Sequence, residues 1–388
     1  MGMGKIDRPF LIALLILAGI GTLMVYSASM YSLTISESSF MQVFKQFFYA
    51  AFGIVCMLGM SHLDYRKLNN KRFVQGFFAI TVILLAAVYF TPLGLEVNGG
   101  KRWLDLQVTT LQPSELAKFS GILYIIELMV RKPEILRKHT QFFKEVVLPS
   151  ALLLGLILIE PSLSATLAVG VGLFSALFFS GIRFKLILPY LLLCIPGVIA
   201  LMVATPWRLA RLTAFFTGSP EYQVKQSLLA IGSGGIFGTG LGNGKQKLLF
   251  LPEMQNDFIF ANIGEETGFL GILLVFGMFS IFAYFGYKAS EQIKNKDPFF
   301  SYICFGFTTM IIYQALANIA VVIGVLPPTG IVLPFFSQGG TNLFVVIVES
   351  VFIYRVIRMS DHEKKYNDLQ VFDYRGVDAD SSFQKENV

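Results

Sequence analysis

Charge is what this sequence has least of: Asp, Glu, Lys and Arg make up 14% of its 388 residues, against roughly a quarter in soluble domains. With 54% hydrophobic residues and a mean hydropathy of +0.64, that scarcity excludes an ordinary soluble globular chain. Cysteine is scarce as well. Cys56, Cys194 and Cys304 all lie inside apolar runs, where they read as small buried hydrophobes, and a disulfide framework is excluded. The three histidines, His62, His139 and His362, show no metal-ligand spacing. The net charge of +6 is explained by where the charges fall, so nucleic acid is not expected as a partner.

What the chain has instead is long apolar runs. They fall near residues 9–29, 42–62, 73–91, 113–130, 146–160, 163–182, 184–204, 258–287, 299–325 and 341–358, which predicts ten spans. Each approaches the ~20 residues a helix needs to cross ~30 Å of hydrocarbon. The first shows no cleavage site behind a short apolar core, so it is expected to be a retained span rather than a signal peptide. The expected fold class is therefore an all-α polytopic membrane protein.

Loop charges orient it. Lys5, Arg8, Arg66, Lys67, Lys71, Arg72, Arg131, Lys132, Arg137, Lys138, Lys144, Arg183, Lys185, Lys288, Lys294 and Lys296 share one side, with Arg355, Arg358, Lys364 and Lys365. By the positive-inside rule both termini are cytoplasmic. Residues 1–359 then form the spanning domain, and the polar residues 360–388 a cytoplasmic tail expected to be disordered. Three segments face outside, about 92–112, 205–257 and 326–340. In the first, Trp103, Leu104, Leu106 and Val108 suggest a short amphipathic element at the interface. The third is apolar but broken by Pro and Gly, a backbone tolerated at membrane depth only when buried in protein or lining a cavity.

The densest chemistry lies in Leu249–Gly271, which gathers Glu253, Asp257, Glu265 and Glu266 around the start of the eighth apolar run. Asp257 has two compatible readings, a helix N-cap and a general base at the membrane surface. Glu265 and Glu266 follow some ~12 Å deeper, at 1.5 Å per residue, as either paired structural groups or functional ones. Lys118, one turn into the fourth run, reads as an anion partner or as a snorkelling side chain. Gln112-Pro113-Ser114-Glu115 opens that helix, and with Arg102 nearby a diphosphate site is one reading of the group.

The glycine-rich Gly232–Gly244, followed by Lys245 and Lys247, fails as a phosphate loop because Thr239 and Gln246 stand at the defining positions. It reads as a flexible loop or as one that lets backbone approach a substrate. Gly339 and Gly340 open the tenth run beside Ser337, as an anion-binding helix start or a tight packing point. Glu160 adds a carboxylate on the outer side, and Glu349 lies deep in the last run. Acidic and basic groups thus converge on the outer face, as for a lipid-borne, phosphate-bearing substrate.

The order of these motifs resembles the SEDS family (shape, elongation, division and sporulation; RodA/FtsW-like). The likeness is carried by VYSAS at 25–29, NGGKRWLDL at 98–106, LQPSELAK at 111–118, the block 222–271 and LPPTGIVLPFFSQGGTNL at 326–343. It implies a peptidoglycan glycosyltransferase of the bacterial cytoplasmic membrane that polymerises lipid II, the undecaprenyl-diphosphate-linked disaccharide-pentapeptide, on the outer face. It implies as partners a class B penicillin-binding protein and other divisome or elongasome membrane proteins, and dependence on a divalent cation (Mg or Mn). The family's essential Asp carries over to Asp257. Arg102, Lys118, Gln112, Lys245, Ser337, Gly339 and Gly340 are expected to meet the substrate, with Glu253, Glu265 and Glu160 as secondary carboxylates. Where the family carries Gln-Pro-Asp-Leu, this chain has Glu160-Pro161-Ser162-Leu163, and the usual Ser-Tyr-Gly-Gly is Ser337-Gln338-Gly339-Gly340. Rival readings are a lipid II flippase and a non-catalytic scaffold for the transpeptidase.

Overall fold

The computed structural model describes residues 7–35, 44, 47–49, 51–53, 55, 69–97, 100–105, 110–160, 162–203, 205–217, 221–339 and 341–360. Most of the second apolar run, Gly340, Leu106, Val108 and the tail beyond residue 360 lie outside them. The rest is mostly helix. α1 (Asp7–Ile35) and α2 (Lys71–Phe90) are apolar, and Asn70 caps α2 by accepting from the Arg72 amide at 2.9 Å. α3 (Pro113–Arg131) starts with Pro at its first turn and Glu115 beside it, both favourable at the positive end of a helix. α4 (His139–Ile159) carries a π turn at Phe143–Val147. α5 (Leu163–Phe179) and α6 (Phe184–Val203) follow, α6 with Pro189 and Pro196 inside it.

The long segment after α6 is not all loop: it holds α7 (Pro206–Phe216) and α8 (Tyr222–Gly234). α9 (Ile259–Ile293), α10 (Pro298–Val322) and α11 (341–360) complete the described residues. Among the described residues, five helices are long and apolar enough to cross a membrane: Arg8–Met30, Lys71–Phe90, His139–Ile159, Ile259–Ile293 and Pro298–Val322. α3 and α11 coincide with the fourth and tenth apolar runs but carry internal charge, among them Lys118 and Glu349.

Two expectations are corrected. The segment 92–112, expected to face outside, contains a small antiparallel sheet, so the fold is not purely α. β1 (Gly94–Val97) pairs with β2 (Gly100–Asp105), and β2 with β3 (Thr110–Leu111). Asn98-Gly99, outside the described residues, is the residue pair that tight hairpins favour. The eighth run is also not one continuous helix. Gly268 breaks α9 with φ of 66°, and a Cβ there would stand 2.3 Å from the Gly238 amide nitrogen. Only glycine meets both demands without strain. The glycine-rich loop is stitched into that break: Thr239 and Gly240 donate to the carbonyls of Glu265 and Glu266 at 2.9 and 3.1 Å.

The core lies where α3, α5, α9 and α10 pack together. Phe119 of α3 stacks on Phe307 of α10 at 5.1 Å and meets the Phe352 ring edge-on at 5.1 Å. The irregular segment before α11 is buried, with Leu333, Phe335 and Phe336 almost fully covered, so its non-helical backbone is sheltered by protein.

Candidate active site

Asp257 stands at the mouth of α9, in the turn just before its first residue. The N-cap position falls to Phe258, so Asp257 is not the N-cap. Its backbone carbonyl accepts from the Asn318 side chain at 2.7 Å, and a Cβ on Gly330 would lie 3.4 Å from its Oδ2. The preceding residue, Asn256, gives its carbonyl to the Ser337 hydroxyl at 2.6 Å and its side-chain amide to Glu253 at 2.6 Å. The Gln338 amide donates to the Gln255 carbonyl at 2.8 Å. The loop bearing Asp257 is therefore held on both sides, by α10 and by the segment before α11.

Burial, reinforced by the Glu253 carboxylate, pushes the Asp257 pKa up to about 7, while Arg102 and Arg211 pull it down. A half-buried carboxylate that titrates near neutrality and has two guanidinium groups within electrostatic reach is suited to accept a proton beside an anionic group. Arg102 comes from β2, and its Nε donates to the Glu160 carbonyl at 3.3 Å. Arg211 comes from α7, where it pairs with Glu221 at 3.2 Å and donates to the Pro328 carbonyl at 3.3 Å. Sheet, α7 and the start of α9 thus bring one carboxylate and two cations together from segments more than forty residues apart.

The other expected site residues are distributed differently. Lys118 does not snorkel: it is 1% exposed and pairs with Glu115 at 2.6 Å, whose Oε2 also accepts from Asn342 at 2.8 Å. Glu349 is fully buried within Coulombic reach of both Lys118 and Glu115. This is a polar cluster inside the helix bundle. Gln112 sits at the N-cap of α3 and bonds to the Ser114 hydroxyl at 3.2 Å. Ser337 is buried and spends its hydroxyl on Asn256 and on the Leu333 amide. Gly339 leads into α11 and gives its carbonyl to the Leu343 amide at 2.9 Å. Gly340 lies outside the described residues.

Glu265 and Glu266 are structural partners here. Glu265 Oε1 accepts from the backbone amide of Lys245 at 2.7 Å, leaving the Lys245 side chain exposed. Glu266 pairs with Lys247 at 2.9 Å and accepts from the Ser27 hydroxyl of α1. Glu253 is exposed, with a positive φ of 54°. Sequence reasoning did not single out Arg211 or Asn318. For Asn318 a signal existed, a polar residue within an apolar run; for Arg211 no spacing set it apart from the other charges of its segment.

Among the described residues, no three His, Cys, Asp or Glu side chains converge as metal ligands. At Asp257 the nearby cations are guanidinium groups, which oppose a resident metal ion. The donor set does not fit a dedicated divalent site.

The comparisons with known proteins agree with this picture. The family described as cell cycle protein (FtsW, RodA, SpoVE) matches residues 8–362. The probable peptidoglycan glycosyltransferase FtsW of Saccharophagus degradans is 34% identical over 368 residues, 92% of this chain and 93% of that protein. Its counterpart from Coxiella burnetii is 35% identical over 87% of this chain and 92% of that protein. The rod shape determining protein RodA of Thermus thermophilus superposes with a TM-score of 0.64 at 22% identity, over 91% of this chain and 97% of that one. A chain of a peptidoglycan synthase complex, whose structure concerns the coordination of polymerization and crosslinking, gives a TM-score of 0.71 at 21% identity over 92% of this chain and 98% of its own. Its motifs, its helical architecture and these matches along nearly its whole length lead to one conclusion: the chain belongs to the FtsW/RodA/SpoVE family.

Proposed function

We propose that this protein is a peptidoglycan glycosyltransferase that polymerises lipid II at the outer face of the bacterial cytoplasmic membrane. The observation that carries the reading is Asp257, a carboxyl group at the mouth of α9 whose pKa burial raises to about 7 and on which Arg102 and Arg211 act. Two relatives named peptidoglycan glycosyltransferase support the same chemistry. Ten spans with both termini inside put Asp257, at the outer end of the eighth run, on the side where the lipid-linked sugar is presented.

In this reaction Asp257 takes the proton from the attacking sugar hydroxyl of one substrate. The anomeric carbon of the other loses its bond to the diphosphate, and the new glycosidic bond forms at that carbon. Negative charge grows on the leaving diphosphate, and Arg102 and Arg211 are the cations positioned to stabilise it. Preorganised charge of this kind is usually the largest catalytic contribution. The proton acceptor adds a factor on the order of 10²–10⁴. A divalent cation enters this proposal only as an ion carried by the diphosphate itself, as Mg is commonly bound through substrate phosphates.

The peptidoglycan synthase complex among the structural neighbours supports a partner role with a class B penicillin-binding protein that cross-links the strands. The test is polymerisation of purified lipid II by the reconstituted protein, alone and with its cognate transpeptidase, as wild type and as Asp257→Ala. Glycan strands from wild type and none from Asp257→Ala are expected. Strands of normal length and rate from Asp257→Ala would overturn the assignment. Movement of lipid II across the bilayer without any polymer would favour a flippase.

A further inference from the structure

Glu160 ends α4 on the outer side, one residue past the span, and is completely buried. Neither of its carboxylate oxygens has a hydrogen-bond partner among the described residues. An ionised carboxylate held there without hydrogen bonds is costly, and the usual escape is to keep the proton. The charged group that acts on it is Arg102, whose Nε donates to the Glu160 carbonyl at 3.3 Å. The same guanidinium acts on Asp257, which Arg211 and Glu253 also influence. The chain that follows Glu160 leads into the wall opposite the base: the Ser164 hydroxyl donates at 3.3 Å to the carbonyl of Gly330, the glycine whose Cβ position lies 3.4 Å from Asp257 Oδ2.

We infer that Glu160 is a positioning residue acting through Arg102: while neutral it leaves the guanidinium to Asp257 and the diphosphate, and once ionised it draws the guanidinium onto itself and weakens the site. The inference rests on the glycosyltransferase reading above. The change is a single ionisation. The carboxyl proton passes to solvent, no other covalent bond is altered, and the new carboxylate competes with Asp257 for one cation. Burial places that event within reach of experiment, because it pushes the Glu160 pKa up to about 8, with Arg102 opposing the rise. The group is neutral at pH 7 and ionises just above it. Losing Arg102 also raises the proton affinity of Asp257, so both consequences act in the same direction.

The experiment is the pH profile of lipid II polymerisation by the reconstituted full chain, wild type against Glu160→Gln, each normalised to its own maximum. The wild-type rate should fall on the order of tenfold within a unit or so above about pH 8, and Glu160→Gln should lose that alkaline fall. An alkaline fall that persists in Glu160→Gln, or none in wild type, overturns the proposal. A second measurement needs no activity: the wild-type minus Glu160→Gln infrared difference spectrum should show a carboxylic-acid carbonyl band at pH 7 that disappears with a midpoint of about 8. Its absence at neutral pH means that Glu160 is already ionised, and overturns the proposal even if the variant polymerises poorly. If the band titrates as expected but wild type polymerises at no pH, the glycosyltransferase reading fails, and the catalytic consequence with it.

Discussion

The side-chain amide of Asn318 donates to the backbone carbonyl of Asp257 at 2.7 Å and to that of Ile331 at 2.7 Å. One buried residue of α10 therefore sets the position of the candidate base and of the segment that faces it. Replacing Asn318 by Ala leaves both carbonyls without this donor, at a cost of about 1–3 kcal/mol for each group left buried and unsatisfied. Because Asn318 does not reach the Asp257 carboxyl itself, the effect on catalysis is one of placement. A misplacement of ~1 Å can cost on the order of 10²-fold. Asn318→Ala is expected to lower kcat with little change in KM, measured by polymerisation at varied lipid II. A normal kcat in a folded variant would show that the contact is dispensable.

Asp257 must be ionised to accept a proton, so polymerisation should rise with pH through a midpoint of about 7. Asp257→Asn should remove that acid limb along with a factor on the order of 10²–10⁴ in rate. A wild-type rate independent of pH between about 5 and about 7 would argue against a group of this kind.

The same shift makes a stability prediction of opposite sense. The Asp257 pKa is raised in the folded protein from 3.8 to about 7, so the folded state keeps a proton that the unfolded chain releases. Stability attributable to this group is greatest below about pH 4 and is lost as pH rises towards 7. Asp257→Asn should therefore have a higher Tm than wild type at pH 8 and the same Tm near pH 4, read by thermal unfolding in detergent. Equal values at both pH values would show that burial does not strain the ionised form.

Lys247 and Glu266 form a pair at 2.9 Å with both side chains almost fully covered, and Ser27 of α1 donates to the same carboxylate. Removing one partner leaves a buried charge without its opposite, which typically costs about 3–5 kcal/mol. Lys247→Met alone should be strongly destabilised. Lys247→Met with Glu266→Gln should recover much of the loss, because no unpaired charge remains. Thermal unfolding of the two variants separates this from simple loss of packing, which the double variant would not restore.

Gly268 is required by geometry rather than by chemistry. Its φ of 66° is disfavoured for any L side chain, and a Cβ would lie 2.3 Å from the Gly238 nitrogen and 2.6 Å from the Ile236 carbonyl oxygen. Gly268→Ala should separate the glycine-rich loop from α9 and lower the yield of monodisperse protein. Gly277→Ala, in the same helix where nothing lies within 4 Å of the Cβ position, should be tolerated. Equal behaviour of the two variants would contradict the stitched break.

Sequence periodicity located the helices well because a span must satisfy its backbone internally and face hydrocarbon, and both demands are local. The apolar runs at 73–91, 113–130 and 299–325 correspond to helices at Lys71–Phe90, Pro113–Arg131 and Pro298–Val322. The sheet at 94–111 was missed because short strands carry little periodic signal and Trp103 suits an interfacial helix as readily as a strand. The break at Gly268 was invisible because one glycine within an apolar run is ordinary. It becomes a break only through the loop that packs against it.

The sequence by itself determined that this chain spans a membrane, which family it resembles, and that Asp257 stands where a connecting segment becomes a helix. Those properties rest on composition, on charge asymmetry and on neighbours along the chain. Only the tertiary structure decided which charges meet. It paired Lys247 with Glu266, and turned Glu265 towards backbone amides. It set Arg102 and Arg211 to act on Asp257 across more than forty residues of chain in each case. The physical reason is that a charge in a low-dielectric interior must find its partner in space, and helix packing, not sequence separation, determines what lies within a few ångströms.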